Sequence, residues 1–454
     1  MPQAKEKTAP SYLKVPPHNI EAEQAILGGI LINNDAMNQV MDVLSSDDFY
    51  REAHMALFDG MVELYNKGEP VDIITLSQIL TKKDLLEKVG GTDYLASLVE
   101  AVSTSAGIAY HAKIVKDFSV RRNLINQCSI ISETCFRDGG ETEGLLEMAE
   151  QSIFSIAEEQ VREGLQSLND VITISFKKLE STADIDGYVT GVPTGFDDFD
   201  KLTAGLQPSD LIIIAGRPSM GKTALALNIG YNAAQKTKKS VAVFSLEMSK
   251  QQLGIRLLGL DSGINATRLR TGELRGNDWT LLTDSANRLS ELPIFIDDSS
   301  GIGVLGMKAK CRRLMKKHDL NMVIVDYMQL IQGRRSAESR QLEMSEISMM
   351  LKAMAKDLNV PVIALSQLNR KVEDRPNKRP QLADLRESGA IEQDADVIAF
   401  IYRDELYNPT SEENRNIAEI IVGKQRNGPT GFFKLTFQKE LTRFRNYTEG
   451  EIPM

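Results

Sequence analysis

The chain has 454 residues, 42% of them hydrophobic and 26% charged, which is typical of globular proteins and long enough for two or three domains. Its three cysteines and four histidines are scattered, which excludes a disulfide framework and a zinc site and favours a reducing, cytoplasmic compartment. The net charge of −10 argues against a uniformly basic surface, and the apolar runs are far shorter than the roughly 20 residues of a membrane span.

The charge is unevenly distributed along the chain. Residues 1–160 contain 13 Lys and Arg against 25 Asp and Glu, a net −12, whereas residues 161–454 contain 40 against 38, a net +2. The acidic part suits contacts with proteins, and the near-neutral part can carry local basic loops. An acidic enzyme that never meets nucleic acid fits the charge equally well.

Residues 1–17 have no apolar segment of the kind found in signal peptides, and we expect them to form a disordered tail. Residues 18–160 are predicted to form an all-α domain whose first helix is capped by Asn19. Within it, helical patterns at about 108–136 and 142–160 flank a Gly-Gly break and predict a helical hairpin.

Residues 161–189 give a weak pattern and are predicted to be a linker. Val171–Glu180 fits a short helix that docks on a neighbouring subunit. An ordinary interdomain loop is the alternative.

From residue 190 to 454, short apolar runs alternate with helical stretches, which predicts a mostly parallel sheet with right-handed crossovers. The runs are Leu211–Ala215, Val241–Phe244, Ile294–Ile296, Val323–Val325, Val362–Leu365 and Val397–Ile401. At the end of the chain, Ile417–Val422 and Phe432–Phe437 flank a turn that contains Gly and Pro, which predicts an antiparallel hairpin.

Residues 216–223, GRPSMGKT, match the phosphate-loop pattern GxxxxGK[ST] between a predicted strand and a predicted helix. Backbone N–H groups of such a loop wrap a polyphosphate, the lysine reaches the β- and γ-phosphates and the threonine ligates Mg²⁺. We therefore predict a site for ATP and Mg²⁺. Its nucleotide-binding residues are Gly216, Ser219, Met220, Gly221, Lys222, Thr223 and Ala224, and Lys222 also takes part in catalysis.

Three polar side chains lie at or just after predicted strand ends, where open α/β sheets bind ligands. Asp326 is predicted to hold Mg²⁺ through water, with a simple loop cap as the alternative. Glu247 is predicted to act as a general base or to polarise the attacking water. The Gln367 amide is predicted to sense the γ-phosphate, with a strand-end cap as the alternative.

Three polar loops are candidates for DNA contact. Leu385–Gly389 can bring both an arginine and backbone N–H groups to a phosphate. Gln332–Arg335 and Arg370–Arg379 are rich in cations, and ordinary solvated loops are the alternative for all three. Aromatic residues are scarce in these loops, which favours tracking of the DNA backbone over base stacking.

The predicted hairpin turn carries two cations, Lys424 and Arg426, far along the chain from the phosphate loop. Such a tip can enter a neighbour's ATP site, where an arginine supplied in trans is worth about 10³–10⁵ in rate. Taken alone, the segment favours a solvated turn.

Together these motifs resemble those of the bacterial replicative DNA helicases of the DnaB family, and the resemblance spans nearly the whole chain. Beyond the phosphate loop it rests on TGVPTGF (190–196), LTAGL (202–206), FSLEMS (244–249), DYMQL (326–330), SQLNR (366–370), LRESGAIEQDAD (385–396), KQRNGPTG (424–431) and PPHNIEAEQAILGGIL (16–31). Ser103 departs from the family, which often has proline there.

The resemblance implies a RecA-like P-loop motor domain behind a helical collar, assembled as a homohexameric ring that travels 5′ to 3′ on single-stranded DNA. ATP sites would lie between subunits, the collar would engage primase, and a helicase loader would place the ring on DNA. The implied roles are catalysis by Glu247, metal binding by Asp326, sensing by Gln367, action in trans by Lys424 and Arg426, nucleotide proximity for Arg256, and DNA contact by Arg386, Glu387 and Gly389.

Two other functions remain open at this point. A RecA-like strand-exchange or signalling ATPase shares the phosphate loop, although it needs no helical collar. A nucleotide-dependent switch that barely hydrolyses ATP is the second, and the presence of Glu247 opposes it.

Overall fold

The structure, a computed structural model, describes residues 15–102, 107–136, 167–183, 188–332, 340–409 and 414–448, with isolated helical positions between 142 and 156. Outside the described residues lie most of the predicted tail, Ser103, where the sequence departs from the family, and most of the predicted second helix of the hairpin. The chain divides into two compact units, Met1–Ile174 and Ser175–Met454.

The first unit is all-α in the part that the structure describes. Its helices are α1 (Ile20–Ile32), α2 (Ala36–Met41), α3 (Glu52–Asn66), α4 (Ile73–Lys82), α5 (Gly91–Glu100) and α6 (Ile108–Phe136). Helix α1 begins where predicted, because the Asn19 side chain accepts the backbone N–H of Ala22 at 3.0 Å. Apolar faces of these helices meet around Ile26, Phe58 and Met61, all fully buried or nearly so.

A buried polar network lies within this helical core. The Nδ1 atom of His54 lies 2.6 Å from Glu23 Oε2, and its Nε2 atom lies 2.7 Å from the Tyr94 hydroxyl. The backbone N–H of Tyr50 donates to the other Glu23 oxygen at 2.7 Å. These bonds offset the cost of burying a carboxylate among apolar side chains.

Helix α7 (Leu168–Ala183) overlaps the segment predicted as a linker and spans the division between the two units. It is longer than the predicted Val171–Glu180. Among the described helices, none is both long and apolar enough to cross a membrane.

In the part that the structure describes, the second unit is built on one nine-stranded sheet. The strands are β1 (Leu211–Gly216), β2 (Ser240–Ser245), β3 (Ile294–Asp297), β4 (Leu320–Asp326), β5 (Val362–Gln367), β6 (Val397–Tyr402), β7 (Ile417–Gln425), β8 (Gly431–Gln438) and β9 (Arg443–Asn446). Their order is β3-β2-β4-β5-β1-β6-β7-β8-β9. The neighbours from β3 to β6 pair in parallel and those from β6 to β9 pair antiparallel, which confirms the predicted fold class.

Helices cover both faces of this sheet. The described helices of this unit are α8 (Asp197–Thr203), α9 (Lys222–Thr237), α10 (Lys250–Ser262), α11 (Ala266–Thr271), α12 (Asp278–Ser290), α13 (Val304–Met315), α14 (Arg340–Leu358) and α15 (Gly389–Asp394). Alternate residues of β1 enter different cores: Ile212 and Ile214 pack in the cluster that contains α9, and Ile213 in the cluster that contains α14. Burial on both faces explains why the central strands appear as continuous apolar runs.

Candidate active site

The phosphate loop lies between β1 and α9, as its sequence context predicts. Two of its residues adopt left-handed backbone, Ser219 with φ of 67° and Gly221 with φ of 102°. A Cβ atom on Gly221 would lie 3.1 Å from the ring of Phe444, so space as well as backbone conformation favours glycine there. Met220, within the loop, and Ala224, directly after it, are both buried and help to fix the loop.

Lys222 points back into its own loop. Its ammonium donates to the carbonyl oxygens of Gly216 at 2.8 Å and Arg217 at 3.3 Å. Burial lowers the pKa of the Lys222 ammonium, and the carboxylates of Asp326 and Glu247 oppose that shift. The site therefore holds a partly buried cation bonded to neutral acceptors, which anionic phosphate oxygens can replace.

Thr223 and Asp326 meet across the end of the sheet. The Thr223 hydroxyl donates to Asp326 Oδ2 at 2.8 Å. Asp326 is buried, and burial raises the pKa of its carboxyl, which the hydrogen bond from Thr223 opposes. The negative charge of Glu247 adds to the rise, whereas Lys222 and Arg256 oppose it.

This pair fits a magnesium site. A hydroxyl and a carboxylate are hard oxygen ligands, and Mg²⁺ takes one or two protein ligands besides water and substrate phosphates. No group of three or more His, Cys, Asp or Glu side chains in the described ranges is arranged to hold a metal. The residues therefore suit an ion that arrives with a nucleotide rather than one held by protein ligands alone.

Glu247 lies two residues beyond β2, beside the end of β4. Strand pairing places Ser245 opposite Asp326, and the backbone N–H of Leu246 donates to the Asp326 carbonyl at 2.7 Å. The Glu247 side chain is exposed, and its negative charge acts to raise the pKa of both Lys222 and Asp326. An exposed carboxylate at this position can reach a water molecule beside a bound phosphate.

Arg256, on α10, is also part of this cluster. Burial lowers the pKa of its guanidinium, and the negative charges of Asp326 and Glu247 oppose the shift. The structure thus places Arg256 near the predicted metal and catalytic carboxylates.

Gln367 is the last residue of β5 and pairs with Gly216 at the end of β1. Its backbone N–H donates to Gln329 Oε1 at 3.3 Å, and the Gln329 amide donates to the Ser366 hydroxyl at 2.9 Å. Gln367 itself is exposed. The sheet therefore delivers this side chain to the edge that carries the phosphate loop.

Lys424 and Arg426 lie elsewhere in the same chain. The Lys424 ammonium donates to the carbonyl of Ala395 at 2.7 Å and also to that of Glu392, and Arg426 donates to the carbonyl of Gln393 at 2.6 Å. Both cations therefore bind the C-terminal end of α15, where helix carbonyls are free. The expected exposed tip is wrong for Lys424, because β7 continues to Gln425 and includes it.

The structure describes the candidate DNA loops only in part. Backbone of Arg386 and Glu387 belongs to the 3₁₀ segment Leu382–Ser388, but their side chains lie outside the described part, as does all of 333–339 with Arg334 and Arg335. Gly389 is exposed and begins α15.

Several cations of the 370–379 loop are already engaged within the chain. Arg375 bonds Asp384 at 2.7 Å, and Arg379 bonds Glu419 through two nitrogens at 2.8 Å. The Lys378 ammonium lies 4.7 Å from the ring centre of Tyr407. These pairs weaken the case for this loop as a DNA-binding surface.

Two arginines that hold the phosphate loop were missed from sequence. Arg217 donates to Glu373 at 2.8 Å and to the Leu368 carbonyl at 2.9 Å. Arg403 donates to the Ser219 carbonyl at 3.1 Å and lies 4.3 Å from the ring centre of Phe437. Arg403 could have been found from the sequence, because it is a charged residue close behind the apolar run Val397–Ile401.

Family models match both parts of the chain. The model described as "DnaB-like helicase C terminal domain" matches residues 191–446, and the one described as "DnaB-like helicase N terminal domain" matches residues 15–117.

Curated relatives match over nearly their full length. The replicative DNA helicase DnaB of Geobacillus stearothermophilus is 47% identical over 445 residues, which are 97% of this chain and 98% of that protein. The replicative DNA helicase DnaC of Bacillus subtilis (strain 168) is 49% identical over 434 residues, 95% of each chain.

Two solved structures align with the chain as well. One is described as "The Structure Of A DnaB-Like Replicative Helicase And Its Interactions With Primase"; its TM-score is 0.74 at 34% identity, over 95% of this chain and 100% of that one. The other is described as an ATPase domain and has a TM-score of 0.59 at 40% identity, over 63% of this chain and 100% of its own.

Proposed function

The chain belongs to the DnaB-like helicase family and is an ATP-dependent replicative DNA helicase, and on that premise we propose how its residues divide the work. The observation that carries the proposal is the convergence of Lys222, Thr223, Asp326 and Glu247 at the carboxyl ends of β1, β4 and β2, on one edge of the sheet. Nucleotide phosphates would occupy this edge, with the buried Met220 and Ala224 supporting the loop.

Lys222 binds the β- and γ-phosphates by exchanging the Gly216 and Arg217 carbonyls for phosphate oxygens. Thr223 and Asp326 would hold Mg²⁺, which neutralises charge that develops on the phosphates when it is bound. Asp326 accepts the Thr223 hydroxyl in the structure, so the two oxygens are already side by side. Ser219 and Gly221 direct backbone N–H groups at the nucleotide.

Glu247 orients the attacking water and accepts its proton. Gln367 senses whether the γ-phosphate is present, because β5 ends beside the phosphate loop. Arg256 adds positive charge near the two carboxylates. The roles of Glu247 and Gln367 rest on their positions at strand ends, and that of Arg256 rests on its proximity to the two carboxylates.

Lys424 and Arg426 complete the ATP site of an adjacent copy. Within one chain they bond the end of α15. A shared site requires adjacent copies in head-to-tail contact, and we propose a closed homohexameric ring in which each interface holds one nucleotide. An arginine that enters from the neighbour stabilises negative charge in the transition state.

Single-stranded DNA passes through the ring from 5′ to 3′, held by Arg386, Glu387 and the backbone near Gly389. Because Gly389 begins α15, whose other end holds Lys424 and Arg426, movement at the ATP interface can reach this loop. Contact with phosphates would make affinity fall as salt rises, with little dependence on DNA sequence.

The helical first unit serves as a collar for protein partners at the replication fork, on the nucleoid. Its net charge of −12 over residues 1–160 suits proteins better than nucleic acid. The solved structure with TM-score 0.74 is described as a helicase with its interactions with primase, and we propose primase as a partner here. A loader that places the ring on DNA is the other partner we propose.

A strand-displacement assay tests the proposal. With ATP and Mg²⁺, the protein should displace the partner strand from a forked duplex with a 5′ single-stranded tail, and Lys222→Ala should abolish this. Single-stranded DNA should also stimulate ATP turnover. Displacement that needs only a 3′ tail would contradict the polarity, and strand pairing without displacement would indicate a strand-exchange enzyme.

A further inference from the structure

Arg217 occupies a position of the phosphate loop that the GxxxxGK[ST] pattern leaves open. Its side chain is buried, although a guanidinium stays charged in proteins. One nitrogen donates to Glu373 Oε1 at 2.8 Å and another donates to the Leu368 carbonyl at 2.9 Å. A buried cation is therefore joined to two points of a segment 151 to 156 residues away.

That segment begins directly after Gln367. Asn369 caps the short 3₁₀ turn Arg370–Asp374 by accepting the backbone N–H of Lys371 at 3.1 Å, and Val372 anchors the turn with a fully buried side chain. Glu373 therefore comes from an ordered turn rather than from a loose loop. The turn has the geometry to hold Arg217 in one place.

The same arginine also touches the catalytic end of the loop. Its carbonyl accepts the Lys222 ammonium at 3.3 Å, and the neighbouring Gly216 carbonyl accepts the backbone N–H of Leu368 at 3.4 Å. Arg217 thus bonds Lys222 through its backbone and the residue after Gln367 through its side chain.

We propose that Arg217 is a positioning residue that fixes Gln367 relative to the phosphate loop, using Glu373 and the Leu368 carbonyl as its two anchors. This rests on the proposed function, in which Gln367 senses the γ-phosphate. Gln329 accepts the Gln367 backbone N–H from the side of β4, and Arg217 bonds the carbonyl of the next residue, Leu368, from the side of β1. If bound phosphate shifts Lys222, these bonds would therefore transmit the displacement to Gln367 and to the turn beyond it.

A merely structural ion pair makes a different prediction. If Arg217 only shaped the phosphate loop, its loss would weaken nucleotide binding. If it positions Gln367, its loss would slow turnover of nucleotide that is already bound. The ratio between the change in kcat and the change in nucleotide Kd separates the two roles.

The test uses the full chain assembled as a ring, with Glu373→Gln, Arg217→Lys and Arg217→Gln. In Arg217→Lys the positive charge is kept, but a compact ammonium replaces the planar guanidinium whose separate nitrogens bond Glu373 and the Leu368 carbonyl. The matched control is Asp319→Asn, which removes the carboxylate of an exposed ion pair with Lys239 at the opposite end of β4. Readouts are kcat and KM for ATP, and Kd for a fluorescent ATP analogue.

We expect Arg217→Gln to lower kcat about tenfold, Glu373→Gln and Arg217→Lys to lower it less, and Kd to stay within about threefold in all three. The double variant Arg217→Gln, Glu373→Gln should be no slower than Arg217→Gln alone, because both changes remove one linkage. If Arg217→Gln does not fold, Glu373→Gln, which lies on a partly exposed turn, carries the test.

Either of two results would overturn the inference: kcat equal to that of Asp319→Asn in every variant, or weakened binding with normal kcat. Lys222→Ala, measured in parallel, keeps the two proposals apart. Normal ATP turnover by Lys222→Ala would contradict the proposed function itself. If Lys222→Ala is inactive but the Arg217 and Glu373 variants turn ATP over normally, only the role of Arg217 is contradicted.

Discussion

The Thr223 hydroxyl donates a hydrogen bond to Asp326 Oδ2 at 2.8 Å, although 103 residues separate them along the chain. This contact joins the start of α9 to the end of β4 and brings two side-chain oxygen atoms to one point. The parallel sheet makes it possible, because β1 and β4 both end at the edge where α9 begins.

Asp326→Asn should keep the geometry of this contact while removing its charge, because an amide oxygen can still accept the Thr223 hydroxyl. We expect ATP turnover to fall about a hundredfold or more, since a charged metal ligand is lost. Without nucleotide, the variant should unfold at a higher temperature, because burial raises the pKa of the Asp326 carboxyl and so disfavours its charged form. ATP turnover measured against magnesium concentration tests the first effect, and thermal unfolding tests the second. Unchanged turnover would contradict the proposed role of Asp326 as a metal ligand.

Gly221→Ala should abolish nucleotide binding. The residue has φ of 102°, and its new Cβ would lie 3.1 Å from Phe444, so the loop would have to move. Gly254→Ala is the matched control, because Gly254 lies within α10 and a Cβ there meets nothing within 4 Å. Because alanine has a higher helix propensity than glycine, this control should raise the free energy of unfolding by about 0.5–1 kcal/mol. Fluorescent-nucleotide titration compares them, and equal affinities would contradict the account of the loop.

Asp210→Asn should stabilise the second unit at alkaline pH. Burial, reinforced by Asp396, raises the pKa of the Asp210 carboxyl from 3.8 to about 6. The native state therefore binds this proton more tightly than the unfolded state, so the stability that the group contributes is present at acid pH and is lost as pH rises towards 6. Removing the charge should raise the free energy of unfolding by about 1–3 kcal/mol at pH 8 and by less at pH 5.

Urea unfolding followed by the fluorescence of Trp279, the chain's single tryptophan, measures this difference. Asp319→Asn, at the same end of the sheet but exposed, is the control. If the increase in the free energy of unfolding caused by Asp210→Asn did not grow between pH 5 and pH 8, the ionisation of Asp210 would not be its cause.

Local patterns in the sequence predicted most of this architecture. The phosphate loop and the polar residues at or just after the ends of β2, β4 and β5 are recognisable because each depends on a few consecutive residues and their strand. Strand β9 was not predicted, because three of its four residues, Arg443, Arg445 and Asn446, are polar and leave no apolar run. It is held by a tertiary contact between the rings of Phe437 and Phe444 at 4.5 Å.

Long-range polar contacts were beyond prediction for a related reason. Arg403 and Ser219 are 184 residues apart, and neither the charge of one nor the carbonyl of the other indicates its partner. Lys424 was expected at a turn, but the register of β7 with β6 shifts near Ile398, which lets the strand continue beyond the predicted Val422.

We propose that each ATP site is shared by two adjacent copies, with Arg426 supplied in trans. Arg426→Ala should therefore bind nucleotide normally but turn it over about 10³-fold more slowly. Lys222→Ala should be inactive for a different reason, because its own pocket is damaged while its Arg426 is intact.

Mixing these two inactive variants before ring assembly tests the claim most directly. An Arg426→Ala pocket beside a Lys222→Ala neighbour contains both groups, so about a quarter of the interfaces should be intact if subunits mix at random. We predict that ATP turnover reappears in the mixed rings, whose composition mass spectrometry can verify. Mixed rings that stay as inactive as either parent would contradict the shared site.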